Sequence, residues 1–291
     1  MTAGFLIVDK PGGLTSNAVV GAVKKATGVK KVGHAGTLDP MATGALVLAI
    51  GNVTRLIRYV QDQPKEYVAS ALFGVSTDTL DADGAVLSRE PMDFTPEDLV
   101  ELLPRFTGSI HQVPPMVSAL KKDGRRLHEL AREGTTVERE ARPVEVHELE
   151  LISVGPGPYP EVEFRVVCGK GTYIRALADD LAAALGGHAH LTVLRRTRIG
   201  SLKATNGVTV DDLHNYEDYL LTPKEALSDL PDVTVGQETA SAVSHGVPFV
   251  GGELVSIPEA VPVGVVDPTG DLIAVYVRHG DQARPEVVLP A

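Results

Sequence analysis

The chain has 291 residues, 43% of them hydrophobic and 22% charged, enough to bury one large core or two modest ones without covalent staples. Its single cysteine, Cys168, excludes an internal disulfide and a four-cysteine metal site and points to a reducing compartment. The net charge of −11 argues against a nucleic-acid partner at first sight, but residues 229–291 hold nine acidic and two basic groups, which leaves −4 on the remainder.

Residues 5–8 are apolar and read as a short strand, closed by Asp9-Lys10-Pro11. That run is too short for a signal segment and no stretch is long enough to span a bilayer, so a cytoplasmic protein without membrane contact is expected. Thr15 or Ser16 caps a helix that runs to about Thr27, where Gly28 stops it. Residues 33–44 carry Gly33, Gly36 and Gly44 and read as an ordered loop, followed by strands at 46–50 and 67–73. Thr95-Pro96-Glu97-Asp98 opens a second helix, with a capping residue followed by proline at the first helical position.

Residues 113–142 differ from their surroundings. They hold Pro114-Pro115, a basic cluster and a short helical stretch ending at Gly134, and read as a long insertion of the kind that carries function. Strands at 144–153 and 161–168 pair around Gly155-Pro156-Gly157-Pro158. A helix over 172–185 is closed by Gly186-Gly187, and 191–198 returns as a strand. Thr222-Pro223-Lys224-Glu225 starts a short helix with a capping box. Composition then shifts to Val, Gly, Pro and acidic residues. A boundary near 228–231 therefore divides a body, 1–228, from a small β-rich module, 229–291, with a hairpin turn at Asp267-Pro268-Thr269-Gly270. Strands and helices mix without βαβ alternation, which gives an α+β class.

Several chemistries lack their motifs. Gly169-Lys170 does not complete a phosphate loop, because Phe164 stands where the first glycine belongs. There is no Gly-x-Ser-x-Gly elbow and no His-Glu-x-x-His pair. What remains is a carboxylate in a glycine-bracketed loop. Asp39 precedes Pro40, whose ring confines it to extended or turn conformations. On its own an Asp-Pro pair is an ordinary turn, and its meaning depends on its companions.

Those companions are five segments: Asp9-Lys10-Pro11-Gly12-Gly13-Leu14-Thr15-Ser16; Lys65-Glu66-Tyr67 with Thr77-Asp78-Thr79-Leu80-Asp81-Ala82-Asp83-Gly84; Gln112-Val113-Pro114-Pro115-Met116-Val117-Ser118-Ala119-Leu120-Lys121; Gly169-Lys170-Gly171-Thr172-Tyr173-Ile174-Arg175; and Leu194-Arg195-Arg196-Thr197. In this order and spacing they resemble the TruB-type tRNA pseudouridine-55 synthases over about residues 4–228, with a weaker echo of a PUA-type RNA-binding module in the tail. The resemblance implies a mixed, mainly antiparallel sheet of pseudouridine synthase type. It also implies an isomerase that detaches the base of one T-loop uridine in tRNA, rotates it and rejoins it through carbon.

It implies roles as well. Asp39 matches the nucleophile, Arg175 the arginine that pairs with it, and Tyr173 an active-site tyrosine, while Tyr67 matches the ring that stacks on the base. Leu194 matches an apolar contact and Asp81 a polar one near the base, and His34 matches the residue that enters the vacated stack. These residue types suit the chemistry. Flipping a base out of a folded loop costs a few kcal/mol, and stacking on an aromatic ring returns about 1–3 kcal/mol. A carboxylate serves glycosidic cleavage either as covalent partner or against positive charge on the sugar, and a nearby arginine favours its ionised form. No redox or hydrolytic step occurs, so neither metal nor cofactor is expected. Lys10 and Pro11 are expected to shape the loop rather than touch substrate.

The basic residues Lys121, Lys122, Arg125, Arg126 and Arg195 are the expected contacts to the RNA backbone, the partner being the T-arm of tRNA, with no guide RNA and no obligate protein partner. His128 stands where relatives often carry tyrosine, and the acidic tail suits a reduced module that packs on the body as well as one that touches RNA. A folding helper that opens and releases tRNA, and a guide-RNA-dependent synthase of dyskerin type, are the competing readings.

Overall fold

The computed structural model describes residues 3–117, 121–122, 125–126, 137–250, 252, 254 and 256–290. The chain packs as two compact units, one formed by Met1–Pro40, Gly44–Gln63 and Arg198–Ala291, the other by Met41–Thr43 and Pro64–Thr197.

In the first unit the strand Gly4–Lys10 is buried along almost its whole length. It pairs antiparallel with Thr43–Ile50 and parallel with Val208–Thr209, and Val32–His34 adds to Thr43–Ile50. The helix Ser16–Thr27 begins where expected, with the Thr15 side chain accepting from the Ala18 amide, and ends at Gly28, whose φ of 69° lets its amide reach the Lys24 carbonyl. Val19, Val20 and Val23 form its buried stripe.

The C-terminal module belongs to this unit. Its sheet runs Asp232–Thr234, Pro262–Val266, Leu272–His279, Gln282–Val288, Phe249–Val250, with the expected turn joining the second and third strands. Period-two alternation gives the sheet two apolar faces. Val263, Val265, Ala274 and Tyr276 pack with Ala240 and Val243 of the helix Gln237–Ser244, an element the β-rich reading of the tail did not place. Val266, Leu272, Val275 and Val287 join Ile7, Val47 and Leu56 in the core of the body. The expected boundary near 228–231 thus marks where a new sheet begins, while the hydrophobic core runs across it.

The second unit carries an antiparallel run in the order Gly108–Gln112, Arg142–Val154, Glu161–Cys168, Lys65–Phe73, with Ala189–Ile199 beside the last. Lys65–Phe73 alternates buried and half-buried positions, as a strand with one face on a core must. The helix expected over 172–185 spans Ile174–Ala184, because Tyr173 is still extended at φ −102° and ψ 110°.

Within the expected insertion, Lys121–Lys122 and Arg125–Arg126 pair antiparallel as a short hairpin. The Arg139 guanidinium donates to the Pro114 carbonyl at 2.9 Å and so ties the two ends of the insertion together. The helical stretch expected up to Gly134, and His128, lie outside the described residues. Among the described residues no helix is long and apolar enough to cross a membrane.

Candidate active site

Asp39 lies in the first unit, half-buried between two neighbours that are fastened from below. The Ser16 hydroxyl, 3% exposed at the start of its helix, accepts from the Leu38 amide at 2.9 Å and donates to the Leu38 carbonyl at 3.1 Å. On the other side the Pro40 carbonyl accepts from the Gly13 amide at 2.8 Å and from the Lys10 ammonium at 3.1 Å. Lys10 is fully buried and also donates to the carbonyls of Leu14 at 2.7 Å and Pro11 at 2.9 Å, which uses the three donors of an ammonium. Lys10 and Pro11 therefore shape the loop, as expected. Leu38 and Ala35 are buried and anchor the loop, and Gly36, at φ 130°, supplies a turn that a side chain would strain. The backbone on both sides of Asp39 is thus fixed through Leu38 and Pro40.

His34 ends the strand Val32–His34 at the entrance to the same loop. Its Nδ1 accepts from the Gly36 amide at 3.3 Å, which places the proton of a neutral ring on Nε2. Beside it a groove of about 570 Å³ opens, lined by Asn17 and Lys24 of the first helix and by Arg55, Arg58 and Gln61 of the helical segments Gly51–Leu56 and Ile57–Gln61. Among the described residues that line it there is no carboxylate. In a chain of net charge −11 that makes the groove a local concentration of positive charge.

The second unit holds the other expected residues. Tyr67 and Leu194 are buried, at 8% and 5% exposure, and Arg195 is half-buried. Arg175, 3% exposed, donates from one terminal nitrogen to the Thr79 carbonyl at 2.8 Å and the Asp81 carboxylate at 3.2 Å, and from the other to the Val117 carbonyl at 2.8 Å. Asp81, 5% exposed, also accepts from the Thr79 hydroxyl at 2.5 Å and the Asp83 amide at 3.2 Å. The segment is both a tight turn, with the Gly84 amide donating to the Asp81 carbonyl at 3.2 Å, and a receptor for Arg175. Leu80, between the two, adopts φ 60°, a conformation costing about 1–2 kcal/mol for such a residue, while its carbonyl is fixed by the Leu191 amide at 3.1 Å.

Tyr173 is held by its backbone. The Gln112 side-chain amide, 1% exposed, accepts from the Tyr173 amide at 3.0 Å and donates to its carbonyl at 3.3 Å. Gln112 replaces a local cap for the helix Ile174–Ala184, whose Tyr173 cap position makes no side-chain cap bond. Sequence reading quoted Gln112 within a motif without giving it this task. The signal was a polar residue ending a strand ahead of two prolines.

Two family models match the chain: TruB family pseudouridylate synthase, N-terminal domain, over residues 24–174, and tRNA pseudouridylate synthase B, C-terminal domain, over 175–230. The chain belongs to the TruB family of pseudouridylate synthases. Proteins named tRNA pseudouridine synthase B from Symbiobacterium thermophilum and Thermobifida fusca are 47% and 41% identical to it. The first match covers 84% of this chain and 82% of that protein, the second 99% of each. Among solved structures, a Cbf5-Nop10-Gar1 complex matches with a TM-score of 0.77 at 28% identity over 99% of this chain and 85% of that one.

Membership gives the mixed α+β architecture its name, the pseudouridine synthase fold, and makes the protein an enzyme of that class. In this TruB chain, Asp39 and His34 share one loop of the first unit, and Arg175 and Asp81 form a buried pair in the second. The side chains of Lys121, Lys122, Arg125 and Arg126 lie outside what the structure describes. Arg55 and Arg58, which the sequence reading passed over, line the groove beside His34. No motif signalled them; only their spacing of three on a helical segment places both on one side.

Proposed function

We propose that this chain converts the T-loop uridine of tRNA to pseudouridine, with the base flipped out of the stack and Asp39 as nucleophile. The Asp39 loop carries the reading: Ser16, Gly13 and Lys10 hold the residues on either side of one carboxylate in a member of the TruB family. A preorganised carboxylate stabilises developing positive charge at the sugar, or bonds to it, without reorganising during the reaction. The glycosidic bond from nitrogen breaks, the ring turns, and a bond from carbon to the same sugar atom forms; the proton on that carbon leaves and a nitrogen regains one, so the product is an isomer.

Tyr67 stacks on the flipped base, Leu194 supplies an apolar contact and His34 fills the gap in the RNA, which together offset the few kcal/mol that flipping costs. Arg175 pairs with Asp39 and keeps it ionised, Asp81 is a polar contact near the base, and Tyr173 is the candidate for moving the proton. The groove lined by Lys24, Arg55 and Arg58 suits an RNA backbone, as do Arg195 and the basic hairpin. The enzyme acts in the cytoplasm without guide RNA, protein partner, metal or cofactor. The 41–47% identity to proteins named for tRNA, against 28% to Cbf5, supports the stand-alone form.

Incubating the protein with an unmodified tRNA transcript and mapping pseudouridine tests the reaction. Absence of product at the T-loop uridine defeats the enzyme reading. Asp39→Asn is expected to slow single-turnover product formation by about a thousandfold or more and to leave tRNA affinity within about threefold, since binding is dominated by phosphate contacts elsewhere. Near wild-type turnover in that variant defeats the nucleophile assignment.

A further inference from the structure

The acidic C-terminal strand touches the basic groove at two places. Arg58 donates to the Glu286 carboxylate at 2.6 Å, and Arg55 donates to the Val288 carbonyl at 3.3 Å. The match follows from geometry. Arg55 and Arg58 are three apart on the helical segments, and the strand Gln282–Val288 offers them the Glu286 side chain and the Val288 main-chain carbonyl. Val287, between them, turns the other way into the core.

Tyr59 completes a triangle: its hydroxyl accepts from Arg58 at 2.6 Å and donates to the same Glu286 oxygen at 2.7 Å. Burial of the phenol and its bond to Glu286 hold Tyr59 protonated far above neutral pH, so it remains a donor to that oxygen.

We propose that Glu286 occupies, from within the chain, the position on Arg58 that a backbone phosphate of the RNA takes when it enters the groove. This rests on the RNA reading above. A carboxylate and a phosphodiester offer a guanidinium the same bond, an N–H donated to an anionic oxygen. The pair is exposed, at 49% and 37% of the two side chains, so its own stability is small and exchange for another anion is cheap. Lys24, on the same groove, makes no side-chain hydrogen bond or ion pair among the described residues. A phosphate reaches it; Glu286, fixed in its strand, bonds to Arg58 and Tyr59 instead. The module carrying net −7 thereby makes every RNA displace a carboxylate before it gains Arg58, which weakens loose binding of RNA that offers the groove nothing else.

The test is a double-mutant cycle on the full chain with an unmodified tRNA transcript, reading affinity at low and at near-physiological salt. Glu286→Gln, which keeps the acceptor for Tyr59, is expected to tighten binding about two- to fivefold at low salt and to steepen the salt dependence by up to about one unit of slope. In an Arg58→Gln background the same substitution is expected to change nothing. Unchanged or weaker binding by Glu286→Gln overturns the proposal. Equal tightening in the Arg58→Gln background also overturns it, by revealing a general charge effect. A wild-type affinity that ignores salt defeats the RNA reading itself, whereas a salt-dependent wild type with an inert Glu286→Gln defeats only this contact.

Discussion

In the Asp39 loop the buried cation Lys10 bonds to three backbone carbonyls, whereas in the second unit the buried cation Arg175 takes two carbonyls and the carboxylate of Asp81. The first arrangement fixes a path of main chain. The second fixes one side chain by another, 94 residues away in sequence. Substitution around Arg175 therefore bears on stability as well as on its proposed chemical role. Leu80, at φ 60°, lies between Thr79 and Asp81, the two residues that receive one nitrogen of Arg175.

Asp81→Asn puts the largest strain on this contrast. It removes the charge partner of a buried arginine and is expected to cost about 3 kcal/mol of stability, a fall in melting temperature of roughly 2–4 °C per kcal/mol. If Arg175 has the proposed role beside Asp39, turnover should fall with KM little changed. A variant that melts early but turns over normally would show that the ion pair only supports the fold, and the proposed role of Arg175 beside Asp39 would lose its basis.

Lys10→Met tests the other side. The carbonyls of Pro11, Leu14 and Pro40 lose a common donor in a buried place, and an unsatisfied buried group costs about 1–3 kcal/mol. With water entering to satisfy part of that set, a loss of about 2–3 kcal/mol is expected, together with a slower chemical step because Pro40, next to Asp39, is then held by the Gly13 amide alone. Full activity at a temperature well below the variant's melting point would mean that Ser16 and Gly13 suffice to place the loop.

The two regions also differ in how far sequence exposed them. Thr15, Gly28, the Thr95 cap and the capping box Thr222–Glu225 were legible because each acts within four residues of itself. The Asp39 loop was legible for a related reason, its glycines and Pro40 being local, and the order of five motifs pointed to the family. The partners that build the rest are remote. Gln112 holds Tyr173 across 61 residues, Asp81 meets Arg175 across 94, and Glu286 meets Arg58 across 228. No periodicity or turn preference encodes such pairings. The C-terminal module shows the same limit: its strands were expected, but the second apolar face that fastens it to the body, and the helix that covers the first, depend on which side of each strand finds a partner.

Asp180 offers a milder way to sharpen the contrast, because it sits on the helix that carries Arg175 and adds to the electrostatic burden of the second unit. Burial, and then the neighbouring Asp179 charge, push its carboxyl up to about 6. The folded state therefore holds this proton more tightly than the unfolded chain, whose aspartates titrate near 4. The associated stability is complete below about pH 4 and is lost as pH rises through about 6. In full burial a difference of that size corresponds to about 3 kcal/mol, and the partial exposure of Asp180 reduces it to about 1 kcal/mol. Asn mimics the protonated form, so Asp180→Asn should match the wild type near pH 4 and melt higher by a few degrees near pH 8. Parallel melting curves of wild type and variant across that range would show that Asp180 is solvated.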